Sequence, residues 1–327
     1  MVDPTELFTK PKPGTIKFAA ILLVAILVPS FVATAIGGND AGMAFGIAAG
    51  FVMAVAPMAS TGSALASEVL AACLAAVSNV AGDTPWAIAL LMVLSAVLLG
   101  LTNQHSAGLM TLAPIIVIIF GPGPVQLQWW QAGMWTLVGG LVGLLVVKVL
   151  KFEAPPRPIP AAVAWRHALV LGVLSAAAMY WALANGIPHG YWIAVTIIVA
   201  LRPLPQERGE TLEGRLLGTL LGALIALPIV LFLPQAVATV LAAVFLFFLA
   251  TYSMGGSYYM QTLFLTPMLL VFGSLGDTEK GFTITIERVY YTIIGVLIGI
   301  AAAYLLDRWD HKDEFRTARV GNREGRG

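Results

Sequence analysis

The chain has 327 residues, of which 59% are apolar and only 11% are charged. Soluble domains carry roughly 25% charged residues, so water is not the solvent for most of this surface. A net charge of +1 argues against a nucleic-acid-binding protein, whose surface is strongly basic. A single cysteine, Cys73, excludes an internal disulfide and a cysteine metal cluster. We therefore expect an integral membrane protein, with no metal and no other cofactor.

Long apolar runs follow one another through almost the whole chain. A membrane-spanning helix needs roughly 17–25 mostly apolar residues. The runs are continuous rather than alternating over about ten residues, which favours an all-α fold over a membrane β-barrel. The first run is longer than the apolar region of about 7–15 residues in a signal peptide, so we expect it to stay in the protein. About twelve transmembrane helices are predicted, at 15–36, 41–57, 62–81, 85–101, 106–121, 129–150, 164–186, 188–203, 210–232, 234–250, 255–274 and 285–306.

The basic residues between these runs predict the orientation of the chain. Lys10 and Lys12 fall on the same side as the basic central linker and the C-terminal tail from Arg308 to Arg326. The loops on the opposite side hold one basic residue, Lys280. Because Lys and Arg accumulate in cytoplasmic loops, both termini are predicted to be cytoplasmic in a multi-pass protein.

Two halves of the sequence resemble each other. The stretch GSALASEVLAACLAA from Gly62 aligns with GETLEGRLLGTLLGA from Gly209, 147 positions later. Six predicted spans per half imply parallel repeats with pseudo-two-fold symmetry along the membrane normal, and a path between them. The predicted domains are a first six-helix repeat, a Pro-rich cytoplasmic linker, a second six-helix repeat and a charged cytoplasmic tail, at 1–150, 151–163, 164–306 and 307–327.

One substitution between the halves concerns charge, since Glu68 aligns with Arg215. Ionisable residues inside a membrane usually mark a functional site. One interpretation is a fixed ion pair that holds the halves together. The other is a switchable pair, in which Arg215 binds a substrate carboxylate and Glu68 carries a proton. His105 is a second candidate for proton coupling, although its predicted loop position is equally typical of a solvated histidine.

A motif in the second half resembles a known family. Tyr191-Trp192 with Thr196, an Arg-Pro turn, and then Gly209, Arg215, Gly218, Thr219 and Gly222 at their spacing look like the fusaric acid resistance protein-like family. Arg288, Thr292 and Gly295 resemble its closing helices. The resemblance implies a bacterial exporter of aromatic or other organic acids, with homodimers in several relatives and a periplasmic adaptor protein as partner. Where the family often has an acid before the last threonine, this chain has Tyr291, so no local Arg–Asp pair is expected at Arg288.

Binding of an organic anion requires a cation, hydrogen-bond donors and an apolar surface. Arginine suits a carboxylate because its planar guanidinium donates two parallel hydrogen bonds. Arg288 has Glu287 beside it, so a surface ion pair is an alternative role for it. The aromatic candidates also fit an interfacial belt, and the polar ones fit ordinary loop polarity. The candidate substrate-binding residues are Arg215, Trp192, Tyr191, Thr219, Arg288, Tyr258 and Gln261.

Enzymatic motifs are missing from the sequence. There is no H-E-x-x-H, no P-loop and no G-x-S-x-G elbow, which argues against an enzyme and against an ATP-driven pump. The sequence predicts a secondary transporter in the bacterial inner membrane, surrounded by lipid. It is expected to export organic anions, with aromatic carboxylates as the expected class and the proton gradient as driving force. Two alternatives stay open: a passive organic-anion channel, and a membrane scaffold or integral membrane enzyme.

Overall fold

The computed structural model describes residues 14–106, 108–253, 256–273 and 278–324. Regular structure in these residues is helical, with twelve α-helices and a 3-10 turn at Ala56–Met58. In chain order the helices are α1 Thr15–Gly37, α2 Asn39–Val55, α3 Thr61–Ala81, α4 Pro85–Asn103, α5 Ala113–Phe120, α6 Trp129–Val149, α7 Ala161–Ala184, α8 Tyr191–Ala200, α9 Pro205–Phe232, α10 Gln235–Ser253, α11 Tyr258–Gly273 and α12 Thr278–Glu324.

Local sequence signals explain where several helices begin. The Ser60 hydroxyl accepts a hydrogen bond from the Ser63 N–H at 3.1 Å and caps α3. Gln128 and Gln131 form a reciprocal capping box at the start of α6. Proline opens α4 and α9, where its missing N–H leaves no hydrogen bond unmade. The starts of α3, α4 and α6 lie within one residue of the predicted ones because caps and prolines act locally, whereas α9 begins five residues before the predicted residue 210.

Nine helices in the described part of the chain are long and apolar enough to cross a membrane, judged by length and composition. The predictions at 106–121, 188–203 and 255–274 were too long, since α5, α8 and α11 have 8, 10 and 16 residues. Proline opens α5, and α8 ends before Arg202-Pro203. Most residues of α5 and α8 are buried, and short helices are tolerated within a membrane where protein surrounds them.

The outer surface of the bundle is apolar. On α1, Val24 is 61% exposed and Phe31 is 70% exposed. Large apolar side chains also project from α4, α6, α9 and α12. Contiguous exposed apolar surface on this scale is incompatible with water and suits the hydrocarbon core of a bilayer. The chain is therefore an all-α, multi-pass integral membrane protein.

The helices pack in two groups with the same order of neighbours. In the first group, α1–α6, α2 packs along α6, and α3 packs against α5 and α6. In the second group, α7–α12, α8 packs along α12, and α9 packs against α11 and α12. The groups meet extensively between α4 and α7 and more sparingly between α1 and α10. The charged candidate residues Glu68, Arg215 and Arg288 each lie inside one of these two groups.

The central linker is held against the helices. The Ala154 N–H donates to the Pro57 carbonyl at 2.8 Å, and the Ile159 N–H donates to the Asn103 carbonyl at 2.9 Å. Since α7 begins at Ala161, the linker ends before the predicted residue 163. The charged tail predicted from 307 begins inside α12. Lys10, Lys12 and the side chain of Lys280, used for the orientation, lie outside the described residues.

Candidate functional site

Two arginines lie together inside the second helix group. Arg215 on α9 and Arg288 on α12 are each 1% exposed, and they are close enough for their positive charges to repel each other. In the described part of the chain, Nε and Nη1 of Arg215 and all three guanidinium nitrogens of Arg288 have no hydrogen-bond partner. Burying a charge without a partner is expensive, by several kcal/mol per ion as an order of magnitude. Such an arrangement suits an anion that binds between them.

An aromatic wall holds Arg288 in place. Its guanidinium carbon lies 3.9 Å from the centroid of the Trp192 ring, a cation–π contact between α12 and α8. The Tyr191 ring packs against Trp192 with 5.2 Å between centroids. Tyr191 and Tyr258 both lie within electrostatic range of Arg288. We call Arg215, Arg288 and Trp192 the arginine site.

The interpretation of Arg288 as part of a surface ion pair is wrong. Arg288 is buried, and its neighbour Glu287 instead accepts from His189, with 2.7 Å between Nδ1 and Oε2. Consecutive residues of a helix point in different directions, so Glu287 reaches the half-exposed end of α8 while Arg288 points into the bundle. The sequence placed the two side chains next to each other, but the helix separates them.

Five buried hydroxyls accompany the arginine site and have no hydrogen-bond partner among the described residues. Thr219 lies one helical turn after Arg215, and Thr196 lies one turn after Trp192, so each shares a face with a member of the site. The others follow α11, where it packs on α9. We call these five the hydroxyl row: Thr196, Thr219, Tyr258, Thr262 and Thr266.

Glycines on α9 bring the hydroxyls of α11 close. A Cβ atom added at Gly218 would lie 2.8 Å from the Cβ of Thr262, and one added at Gly222 would lie 2.8 Å from the Cβ of Thr266. Such a close approach of the two helices leaves no room for a side chain at either of these two glycine positions of α9. Sequence reasoning missed Thr262 and Thr266 as site residues. Their signal was present, because both the glycines and the threonines repeat every four residues and thus define two facing helix surfaces.

Glu68 lies in the first helix group and does not pair with Arg215. It is 4% exposed, and its Oε1 has no hydrogen-bond partner in the described residues. Its carboxylate lies against Gly140 of α6, in the space that a side chain there would occupy. It also borders a cavity of about 40 Å³, in which Ser67 and Thr136 are the other polar neighbours. No ion pair joins Glu68 to Arg215 in this part of the structure, which contradicts the interpretation of the two residues as a fixed ion pair.

Two further predicted site residues lie elsewhere. His105 is exposed at the end of α4, with its Nδ1 3.2 Å from the Leu101 carbonyl oxygen of the same helix. The Gln261 amide donates to the carbonyls of Tyr252 and Gly256 at 3.4 Å and thereby closes the turn between α10 and α11. Both side chains interact with local backbone. Neither forms a hydrogen bond to the arginine site among the described residues.

Two arginines at the turn between α8 and α9, Arg202 and Arg208, are held by contacts within the fold. Arg208 is 2% exposed and forms an ion pair with Asp307 of α12. It also donates to the carbonyls of Arg202 at 3.0 Å and Pro203 at 2.7 Å, which fixes the turn between α8 and α9. Arg202 lies over the ring of Tyr258, 5.6 Å from its centroid. Arg208 thus has a structural role in the turn between α8 and α9. The accumulation of basic residues on one side of a membrane does not by itself explain why an arginine lies there.

Metal binding has little support in the described residues. They contain no group of three or more His, Cys, Asp or Glu side chains placed to hold an ion. The buried His167, which sequence reasoning did not single out, lies with its Nε2 2.8 Å from the Leu201 carbonyl oxygen. This contact ties α7 to the end of α8. The chemistry available in the second helix group is therefore that of two guanidiniums, hydroxyls and an aromatic ring.

A comparison with known families concerns this same half of the chain. Residues 169–302 match the family model described as fusaric acid resistance protein-like. The chain is 30% identical over 160 residues to the inner membrane protein YccS of Escherichia coli (strain K12), which is 47% of this chain and 21% of that protein. It is also 30% identical over 159 residues to the uncharacterized protein ORF2 of Neisseria gonorrhoeae, 47% of this chain and 37% of that protein.

The chain thus spans well under two thirds of the length of these relatives. No solved structure matches it. The family match covers Trp192, Arg215 and Arg288, together with every member of the hydroxyl row. The part of this chain that carries the arginine site, residues 169–302, is thus the part that is similar to the fusaric acid resistance protein-like family.

Proposed function

We propose that this protein is a secondary transporter that exports organic anions, with aromatic carboxylates as the first class to test. The observation that carries the proposal is the pair of buried guanidiniums, Arg215 and Arg288, whose charges have no acidic partner in the described residues. A passing carboxylate would accept hydrogen bonds from them and offset their desolvation. The hydroxyl row would supply further donors from α8, α9 and α11.

The route across the membrane follows from the arrangement of the helices. The repeated order of neighbours supports two six-helix repeats, at 1–150 and 164–306, related by a pseudo-two-fold axis along the membrane normal. The anion would bind in the second repeat and leave along the interface between the two. The linker at 151–163 and the tail at 307–327 would lie in the cytoplasm, as would both termini, in agreement with the positive-inside rule.

Coupling to the proton gradient would use Glu68. Its buried carboxylate borders a cavity of about 40 Å³. This volume is large enough for one or more water molecules, since one water needs roughly 10–15 Å³ of cavity volume. Water in that cavity would connect Glu68 to a proton source. His105, exposed at the end of α4, is at most an outer relay in this scheme. The name of the Escherichia coli relative supports an inner-membrane location. A homodimer and a periplasmic adaptor protein are proposed partners.

Transport assays in proteoliposomes test the proposal. Uptake of labelled benzoate into vesicles that contain the purified protein would be compared between wild type, Arg215→Gln and Arg157→Gln. Removing one partner of a buried charged interaction weakens binding by a factor of about 100 or more, so Arg215→Gln should abolish uptake. Arg157 is an exposed linker arginine, so its variant loses the same charge without touching the site.

Undiminished uptake by Arg215→Gln would refute the anchor role. Unitary currents in a planar bilayer would favour the passive channel over the coupled transporter. Uptake that saturates and collapses when an uncoupler dissipates the proton gradient would favour the transporter. A protein that passes none of the tested anions would point to the remaining class, a scaffold or a membrane enzyme.

A further inference from the structure

We infer that the anion held by the arginine site carries two negative charges, one for each guanidinium. This inference rests on the proposed function, since it names the charge class of the substrate at the same site. It follows from a count of the charges buried around Arg215 and Arg288. A monoanion would leave one of the two positive charges unbalanced inside the protein.

Glu287, Asp307 and Glu68 form no ion pair with either arginine. Glu287 is bound to His189 at 2.7 Å, although it directly precedes Arg288 in the chain. Asp307 is bound to Arg208. Glu68 lies in the other helix group against Gly140, without an ion pair to either arginine. The described residues therefore provide no carboxylate for Arg215 or Arg288, and the balancing charge must come from a ligand.

Two guanidiniums on different helices favour two separate anionic groups. Arg215 projects from α9 and Arg288 from α12, and the contact of Arg288 with Trp192 at 3.9 Å fixes one of the two positions. Every nitrogen of Arg288 is without a hydrogen-bond partner among the described residues, as are Nε and Nη1 of Arg215. Each arginine can thus donate to its own carboxylate. A monocarboxylate can accept from both guanidiniums, but it brings one negative charge to two positive ones and leaves some of their donors unsatisfied.

The hydroxyl row fits a ligand with several acceptor oxygens. Thr219 follows Arg215 by one turn, and Tyr258 lies within electrostatic range of Arg288. These hydroxyls have no partner in the described part of the chain, so they can donate to carboxylate oxygens that the guanidiniums leave free. A dicarboxylate has four carboxylate oxygens in total. A site with two arginines and several hydroxyls has enough donors to hydrogen-bond to all four of them.

Binding to the wild-type protein tests the inference without any mutation. Benzene-1,3-dicarboxylate and benzoate share one ring and differ by one carboxylate, and benzamide serves as the uncharged control. Their affinities for the full-length protein in detergent would be measured by calorimetry, at a pH where every carboxylate is ionised. One additional charge-assisted interaction in a buried site should make the dicarboxylate bind about tenfold more tightly, or better.

Two variants assign the preference to the two arginines. Arg288→Gln and Arg215→Gln each remove one positive charge, so each should bring the two affinities to within about threefold of each other. Arg157→Gln, the exposed control, should keep the wild-type preference. Because the wild-type comparison already decides the charge class, failure of either variant to fold does not leave the inference untested.

The outcomes separate this inference from the proposed function. If benzoate binds as tightly as the dicarboxylate, the dianion is refuted while an anion transporter still stands. If neither carboxylate binds better than benzamide, the arginine site is not an anion site, and both proposals fail. A dicarboxylate preference that persists in Arg288→Gln would place the second charge contact away from Arg288 and overturn the assignment to this pair.

Discussion

The two helix groups have the same order of packing but opposite electrostatics at the aligned position. In the first group, Glu68 on α3 lies against Gly140 of α6, beside a small cavity. In the second group, Arg215 on α9 faces a second positive charge, Arg288 on α12. Helix packing depends on small residues and on shape, so one backbone arrangement accommodates a lone carboxylate in one half and two guanidiniums in the other. The two groups share the order in which their helices pack, and they differ in a few charged side chains.

This difference suggests a division of labour between the halves. The guanidinium is a hydrogen-bond donor with no acceptor, so the role proposed for Arg215 and Arg288 is to bind an anion. A buried carboxylate can change its protonation state, so Glu68 can respond to the proton gradient. The comparison therefore predicts that the anion affinity and the pH response can be changed separately.

The largest effect that separates the halves is expected from Glu68→Gln. When transport requires one proton to bind, its rate changes by about tenfold per pH unit in the pH range where that protonation is limiting. This pH dependence should disappear when the carboxylate becomes an amide. The measurement is the initial rate of anion uptake into proteoliposomes across a pH series. Anion affinity should change by less than about threefold, because no contact joins Glu68 to the arginine site in the described residues. A pH profile identical to that of the wild type would rule out proton carriage by Glu68.

A smaller effect is expected from exchanging the aligned residues Gly222 and Ala75. A Cβ at Gly222 would lie 2.8 Å from the Cβ of Thr266 and 3.0 Å from the Leu263 carbonyl oxygen, so α11 must shift. We expect Gly222→Ala to destabilise the protein by about 1–3 kcal/mol, as overpacking does. Ala75→Gly should lower stability by about 0.5–1 kcal/mol, the usual effect of a glycine within a helix.

Thermal unfolding in detergent, followed by circular dichroism, measures both variants. Which of the two variants loses more stability matters more than the absolute losses. The reason is that the second group packs α9 on α11 through glycines, while the first group has Ala75 at the aligned position. Equal losses in the two variants would show that the helix approach at Gly222 is no closer than the one at Ala75.

The smallest effect is expected from His189→Asn, which removes the half-exposed pair with Glu287. Exposed ion pairs contribute about 0–1 kcal/mol, so the melting temperature should hardly change. Asparagine is chosen because it tolerates the positive φ of 52° at this position. The variant also leaves Glu287 without its partner, next in the chain to Arg288. A loss of anion affinity beyond about threefold would mean that the freed carboxylate reaches Arg288, in conflict with the opposite directions of these side chains.

The amino-acid sequence by itself determined the solvent, the helical class and most helix boundaries. The apolar runs required a membrane, and signals such as Pro85, Pro205 and the Gln128 capping box acted within one turn. The sequence also marked Arg215, because a charge inside an apolar run is conspicuous. These are local properties, and the nearest few residues are enough to read them.

Only the tertiary structure decided which charges meet. Alignment of the halves suggested that Glu68 and Arg215 pair, whereas Gly140 accommodates Glu68 in its own group and Arg288 approaches Arg215. Arg288 was expected beside Glu287 at the surface, yet it is buried on Trp192. Whether two side chains touch depends on how each helix is rotated about its axis and how closely glycines let it approach its neighbour. Those quantities are set by the packing of the whole bundle, so spacing along one segment does not reveal them.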